Sequence, residues 1–425
     1  MVRISGDKCE TIARRMLGSL PEPRIATYRS FRNIAGDKID TGLALYFPAP
    51  ASFTGESVIE LHGHGGPVVV SLLVDAVVAL GARMAEPGEF SKRAFLNDKL
   101  DLAQAEAIAD LIGGGTEQAV RAALRSLSGE FSKRVNVLVE RVTKLRMYVE
   151  AAIDFPEEEI DFLADDELLT GLDDCGKAFE TLLAEASVGR VLRDGFQVVL
   201  VGKPNVGKSS LMNRLSGEEA AIVTEIAGTT RDVLRETIDI DGLAVELVDT
   251  AGLREDPDHV EEEGIRRARE AMSRADAVLW IQDASDGGDD TIDEPVPDGI
   301  PITIVRNKID LTGEAPAVEN DVTAVVMVSA KTGQGIDEMR KHIRELAAYR
   351  NLGEGAFTAR RRHIDALQRA AGHFTAGREA LADARAGELL AEELRLAQHA
   401  LGEITGAVTS EDLLSRIFSE FCIGK

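Results

Sequence analysis

At 425 residues the chain is long enough for two to three domains, each with its own core. Its 44% hydrophobic and 28% charged residues exclude a disordered chain, and no apolar run is long enough to span a bilayer. A net charge of -25 argues against a broad electrostatic grip on nucleic acid, and three widely spaced cysteines, Cys9, Cys175 and Cys422, argue for free thiols and against a disulfide framework or a zinc site. With no basic, apolar leader, the expected setting is cytoplasmic, without a membrane.

Along the chain, residues 1–97 mix short apolar runs with Gly and Pro turns, the pattern of an α+β domain. Residues 98–193 turn helical. Val120, Leu124, Leu127, Phe131, Val135, Leu138, Val142, Leu145 and Val149 step by three or four, which predicts one continuous helix on the order of 50 Å long. Pro156 is expected to end it, and the acidic PEEEID to open the next helix, where carboxylates complement the dipole. Residues 194–347 alternate strands and helices, each apolar strand ending in a polar motif: FQVVLVG, AVELVDT, AVLWIQD, PITIVRNKID and AVVMVSAK. That alternation predicts a parallel sheet with helices on both faces and ligands at the carboxyl ends of the strands. From 348 to 425 the helical pattern resumes, so the simplest topology is an all-α helical domain interrupted by an inserted α/β P-loop domain. The densest basic cluster, Ala359 to His363, reads as a solvated helix face.

The inserted region carries the clearest chemistry. GKPNVGKSS, Gly202 to Ser210, fits a phosphate loop between strand and helix, with Asn205, Val206, Gly207, Lys208, Ser209 and Ser210 at its tip. Its glycines let backbone N–H groups converge on phosphate oxygens, Lys208 supplies a charge at the β- and γ-phosphates, and Ser209 ligates Mg²⁺. Asp249, Thr250, Ala251 and Gly252 form a DxxG motif at the end of the next strand, and Thr230 stands where a switch threonine closes over Mg²⁺. In NKID, Asn307 and Lys308 lead to Asp310, whose carboxylate accepts from the N1–H and 2-amino group of guanine; adenine offers neither donor. Ser329, Ala330 and Lys331 complete the base pocket, and together these motifs predict GTP binding.

Hydrolysis is a separate matter. Leu253 occupies the position at which small GTPases orient water with glutamine, and leucine cannot hydrogen-bond. Glu261, Glu262 and Glu263 lie just downstream, and the residues alone do not choose among them. Without an identifiable arginine finger, the transition-state charge falls to Arg231, a partner residue or a bound ion.

The carboxyl end, FCIGK, begins like a prenylation box, but Gly424 and Lys425 do not suit one and no polybasic signal precedes it. This tail, VTEIAGTTRD, DTAGLRE, the segment from Glu86 to Ile112 and the segment from Ala386 to Gly406 together resemble the bacterial and organellar tRNA modification GTPase family MnmE, also called TrmE, across essentially the whole chain. The resemblance implies a K⁺ ion in place of the arginine finger, held by Asn205, Thr224, Ile226 and Thr229, with Glu225, Ala227 and Gly228 in the same nucleotide-contacting segment. It implies Glu261 as the water-orienting acid and a homodimer whose G domains pair across the nucleotides. It also makes residues 1–97 a dimerisation domain binding 5-formyl- or methylene-tetrahydrofolate through Arg3, Glu60, Lys99 and Lys425, with Cys422 a candidate catalytic thiol near the one-carbon unit.

The implied reaction installs a carboxymethylaminomethyl-type group on C5 of the wobble uridine of certain tRNAs, jointly with a FAD-containing partner, MnmG, in a hetero-oligomer. The family normally has a further strand and a Gly-rich turn ahead of the segment matching VRISG, where Met1 falls here. Two other readings stay open from sequence: a ribosome-assembly GTPase, which predicts a basic RNA-binding module, and a regulatory scaffold with a vestigial folate site.

Overall fold

The computed structural model describes residues 1–154, 166–217, 234–240, 242–249, 272, 275–286, 299–320, 323–347, 356–384, 386–419 and 421. The first strands and helices are β1 (Val2–Ser5), α1 (Cys9–Leu17), β2 (Thr27–Arg32), β3 (Lys38–Phe47), β4 (Val58–His62), α2 (Pro67–Ala79) and α3 (Glu89–Leu96). The four strands form an antiparallel sheet in the order β1-β4-β3-β2. Because side chains alternate across a strand, Ile4, Ala44, Tyr46, Ile59 and Leu61 join Cys9, Ile12 and Met16 of α1 and Leu73 and Val77 of α2 in one core, while Arg3 and its register partner Glu60 take the opposite face.

Four helices follow: α4 (Leu102–Gly113), α5 (Glu117–Leu127), α6 (Glu130–Asp154) and α7 (Asp166–Asp194). The single long helix expected across residues 120–149 is therefore two. Gly129 adopts φ +89, a left-handed conformation that ends α5, and Gln104 Nε2 donates to the freed Leu127 carbonyl at 2.9 Å. The apolar stripe holds in α6, where Phe131, Val135, Leu138, Val142 and Val149 are buried, but not in α5, where Leu124 is 55% exposed and the small residues Ala119, Ala122, Ala123 and Ser126 are buried instead. Pro156 and the PEEEID run lie outside the described residues.

The remaining elements are β5 (Phe196–Val201), α8 (Lys208–Ser216), β6 (Leu234–Ile240), β7 (Leu243–Asp249), β8 (Ala277–Asp283), β9 (Ile302–Asn307), α9 (Ile309–Thr312), β10 (Ala317–Asn320), β11 (Ala324–Met327), α10 (Ile336–Leu346), α11 (Arg361–Ala384), α12 (Gly387–Thr405) and α13 (Glu411–Ser419). The second sheet runs β10-β11-β9-β8-β5-β7-β6. Its inner strands, the five expected from sequence, are parallel; β6 and β10 add antiparallel edges through hairpins that the alternation pattern did not announce. Along β5, Val198 and Leu200 enter one core and Val199 and Val201 another, as a sheet covered on both faces requires.

The chain divides into two compact units. The first comprises residues 1–109, 127–175 and 369–425, and in it α6 packs along α12. There α13 is seated on α3 and α4 through Leu414, Ile417, Phe418 and Phe421. Gly88, at φ +66, permits this approach: a Cβ would lie 2.7 Å from the Phe418 carbonyl oxygen and 3.0 Å from Phe421 Cβ.

The second unit comprises residues 110–126 and 176–368, so α5 and the end of α7 group with the larger sheet. Asp110 Oδ1 accepts from Arg193 Nε at 2.8 Å and from Arg360 Nη2 at 2.7 Å, tying the chain's entry into the larger sheet to its exit. The basic cluster is a solvated face only in part: Arg361 is exposed, whereas Arg360 and His363 are buried, the latter accepting the Arg360 backbone N–H on Nδ1. No helix among the described residues is long and apolar enough to cross a membrane.

In the second unit, His342 of α10 is buried and shares a 2.8 Å hydrogen bond with Thr303 Oγ1 through Nε2, while its Nδ1 has no hydrogen-bond partner among the described residues. Burial holds its pKa below the ordinary 6.5. The unfolded chain therefore takes up a proton that the folded chain refuses, and stability falls as pH drops below that value. Unfolding free energies from denaturant titrations at about pH 7.5 and about pH 5.5 should differ less in His342→Gln than in the parent, by on the order of 1 kcal/mol.

Candidate functional site

The phosphate-loop motif is held by close approaches only glycine allows. Gly202, at φ +150 after the buried end of β5, passes so near β8 that a Cβ would stand 2.2 Å from the Ile281 carbonyl oxygen. At the start of α8, Gly207 has φ +99, and a Cβ there would meet Asn307 Nδ2 at 2.3 Å. Between them Asn205 takes a left-handed φ of +63, a conformation asparagine tolerates better than most residues. Lys208 is buried, and its Nζ donates to the Gly202 and Lys203 carbonyls at 2.7 and 2.9 Å, so the loop wraps around its own ammonium. Ser209 and Ser210 are exposed in the first turn of α8. A helix N-terminus, a central ammonium and exposed hydroxyls make a cradle for phosphate oxygens and a hard cation.

Asn307, the last residue of β9 and 2% exposed, joins this loop to the next one. Its Nδ2 donates to the Val206 carbonyl at 2.9 Å, and its Oδ1 accepts from the Ala330 N–H at 3.0 Å. Ser329 Oγ donates to Asp310 Oδ1 at 2.6 Å and accepts from the Thr332 N–H at 3.2 Å, which orients the Asp310 carboxylate. Lys331 is exposed beside them. Lys308, at φ +69, turns back to the phosphate loop: its Nζ reaches the Asn205 carbonyl at 2.9 Å and Asp283 Oδ2 at 2.5 Å.

Asp283 was not anticipated, although its place at the end of AVLWIQD was visible. Burial raises its pKa, but the Lys308 and Ser285 hydrogen bonds outweigh that and hold it below the ordinary value. Asp249 closes β7 opposite Leu200 of β5, two residues before the phosphate loop begins. Thr224, Glu225, Ile226, Ala227, Gly228, Thr229, Thr230, Thr250, Ala251, Gly252 and Glu261 lie outside the described residues, as do Cys422 and Lys425.

A second cluster sits on the outer face of the first sheet. Arg3 donates to Glu60 Oε1 at 2.8 Å, and its guanidinium carbon lies 5.8 Å from the Phe53 ring centre and 5.7 Å from that of Phe90. Glu60 Oε2 is 3.1 Å from His62 Nε2. Lys99 does not join this pair directly: its Nζ donates to the Pro50 carbonyl at 3.1 Å, reaching the loop that also carries Phe53.

Beside β1 lies a cavity of about 570 Å³ lined by Arg3, Ser5, Val74, Val77, Glu89 and Arg93 among others. Glu89 accepts from Arg83, Arg93 and the Glu86 N–H. Although burial opposes its charge, these bonds hold its pKa at about 2. The sequence hint missed here was the i,i+4 spacing of Glu89 and Arg93. Cys9 and Cys175 are buried, their thiols pushed up to about 12 and about 11, chiefly by desolvation.

Comparison with known proteins covers nearly the whole chain. Residues 1–99 match the family model described as GTP-binding protein TrmE N-terminus, and residues 102–422 match the MnmE helical domain. The tRNA modification GTPase MnmE of Stutzerimonas stutzeri (strain A1501) is 56% identical over 434 residues, covering 100% of this chain and 95% of that protein. Its counterpart in Marinobacter nauticus is 54% identical over 436 residues at the same coverage. Among solved structures, Era in complex with MgGDPNP and a 16S ribosomal RNA segment aligns over 54% of this chain and 99% of its own, at 21% identity and a TM-score of 0.28. The G domain of the T. maritima FeoB iron transporter covers 36% of this chain and 98% of its own, at 24% identity and a TM-score of 0.25. No shared overall architecture follows at such scores.

Asn307→Ala leaves a buried carbonyl and a buried N–H unpaired at once. The variant is expected to lose about 1–3 kcal/mol of stability for each, and ligand-free thermal unfolding of the second unit checks this.

Proposed function

The chain belongs to the MnmE (TrmE) family, and from that membership together with its phosphate cradle we propose that it is a GTP hydrolase that modifies tRNA, adding a carboxymethylaminomethyl-type group to C5 of the wobble uridine jointly with the FAD-containing partner MnmG. The observation that carries the nucleotide part is the Asn307 amide, which fixes the phosphate loop and the Ser329–Ala330 loop at one separation, as a ligand with a base at one end and phosphates at the other requires. In this reading Lys208 leaves its two loop carbonyls for the β- and γ-phosphates, and Asp310, oriented by Ser329, accepts from guanine.

The donor set fits the ions. The exposed Ser209 hydroxyl suits Mg²⁺, with Thr230 as its switch partner. The Asn205 side-chain oxygen suits K⁺, because the Asn205 backbone carbonyl is already taken by Lys308. Bound there with Thr224, Ile226 and Thr229, a K⁺ ion supplies positive charge where other GTPases use an arginine. Glu261 then orients the attacking water that Leu253 cannot hold, and pairing of two G domains in a homodimer completes the site.

For the one-carbon donor, 5-formyl- or methylene-tetrahydrofolate, the first sheet offers Glu60 as acceptor for a pterin edge. Arg3 lies within reach of the Phe53 and Phe90 rings, and Lys99 and Lys425 are the further cations. Phe421, packed on α3 and α4, anchors the chain one residue before Cys422, the candidate thiol. With Cys9 and Cys175 buried, Cys422 is expected to be the thiol that reacts in the native protein.

The test is the GTP hydrolysis rate in K⁺ against Na⁺ at matched ionic strength, over a range of protein concentrations. Hydrolysis is expected to be at least about tenfold faster in K⁺ and to rise further with concentration, the size of effect a missing transition-state charge produces. Equal slow rates in both salts would remove the K⁺ and dimer assignments. Separately, Asp310→Asn should move nucleotide preference from guanosine to xanthosine triphosphate, since the amide can donate where the carboxylate could only accept; unchanged GTP affinity would remove the base-site assignment.

A further inference from the structure

The β6–β7 hairpin connects the two stretches that the motifs assign to nucleotide sensing. β6 starts at Leu234, just after Thr230, and β7 ends at Asp249, just before Thr250. The hairpin pairs without a break from Leu234↔Asp249 to Ile240↔Leu243, so a shift imposed at its open end moves its turn with it. The turn is tight, with Gly242 at φ +88 and its N–H donating to Asp239 Oδ1 at 2.5 Å.

That turn bears on α5. A Cβ on Gly242 would stand 2.6 Å from Gln118 Nε2 and 2.9 Å from Gln118 Cδ, so the Gln118 side chain lies across the turn in the space a side chain would take. One helical turn later, Ala122 is fully buried in the same core as Ile240 and Leu243, the residues flanking the hairpin turn. Small residues at this contact leave little slack between helix and hairpin.

The far end of α5 is tied as well. Arg125 Nε donates to the Ala356 carbonyl, Ser126 Oγ donates to the Thr358 carbonyl at 3.1 Å, and the Thr358 N–H donates to Ser126 Oγ at 2.9 Å. Gly189 of α7 closes the same joint, since a Cβ there would meet the Phe357 carbonyl oxygen at 2.5 Å. All of these residues belong to the second compact unit.

We propose that α5 is the output element of the nucleotide switch: the β6–β7 hairpin passes its displacement to α5 through Gly242 and Gln118, and α5 passes it to residues 356–358, where the chain leaves the larger sheet. The relay rests on the GTP reading. It requires the two nucleotide states to differ in how they hold the hairpin, because only a differential interaction can shift a conformational equilibrium.

The test is hydrogen–deuterium exchange of residues 117–127 in the full chain, with GDP and with a non-hydrolysable GTP analogue, nucleotide occupancy being measured in the same samples. The parent is expected to show at least a ~5-fold difference in exchange between the two states, the lower end of typical coupling. In Gln118→Ala the difference should fall below about twofold, with nucleotide affinities within about twofold of the parent. Equal exchange in both occupied states of the parent, or a difference that survives intact in Gln118→Ala, overturns the relay. Failure of either nucleotide to bind overturns the GTP reading, and the occupancy measurement tells the two failures apart.

Discussion

One buried amide holds the nucleotide end of this protein together. Asn307 uses its donor on the Val206 carbonyl and its acceptor on the Ala330 N–H, and so joins two loops more than a hundred residues apart in sequence. Neither loop carries regular backbone bonding of its own at these points, and a buried polar group without a partner is costly, so the side chain substitutes for a ladder that no strand provides. Around that joint the other contacts follow. Gly207 is bare because the Asn307 amide occupies its side-chain space, and Lys308, the next residue, braces Asn205 and Asp283.

The same economy of space recurs wherever distant segments meet. Gly202 lies against Ile281, Gly242 under Gln118, Gly189 against Phe357 and Gly88 under Phe418 and Phe421. Each admits a neighbour that one methyl group would exclude, and each lies where segments far apart in the chain must touch. Asp110 serves a comparable purpose with charge, holding Arg193 and Arg360 at the entry to and exit from the inserted sheet. Its cost of burial is met by two guanidinium partners.

The nucleotide motifs were legible because their chemistry is local. A phosphate loop needs glycine at fixed positions for backbone reasons alone, and the strand that precedes it needs an apolar run because both of its faces are covered. The pairing of Arg3 with Glu60 was half legible: both were singled out as candidate site residues, but their direct contact depends on the register of β1 on β4, which neither segment encodes alone. Lys99 was grouped with them, yet it reaches only the Pro50 carbonyl of the shared loop. The two hairpins at the edges of the larger sheet went unread because an edge strand need bury only part of its surface, which weakens the apolar signal.

By itself the sequence determined the glycine and lysine spacing of the GKPNVGKSS loop, the NKID motif at the end of its strand, the five inner strands and the family to which the chain belongs. Each rests on residue types at fixed spacing, whose backbone and hydrogen-bonding demands do not depend on the rest of the chain. Tertiary structure decided that the helix expected across residues 120–149 breaks at Gly129, that α5 buries its alanines and not Val120 or Leu124, and that Arg360 pairs with Asp110 and does not face solvent. It also brought Asp283 to Lys308. These outcomes turn on which surface meets which across long stretches of chain, and a periodic pattern records only that a face is apolar, not what will cover it.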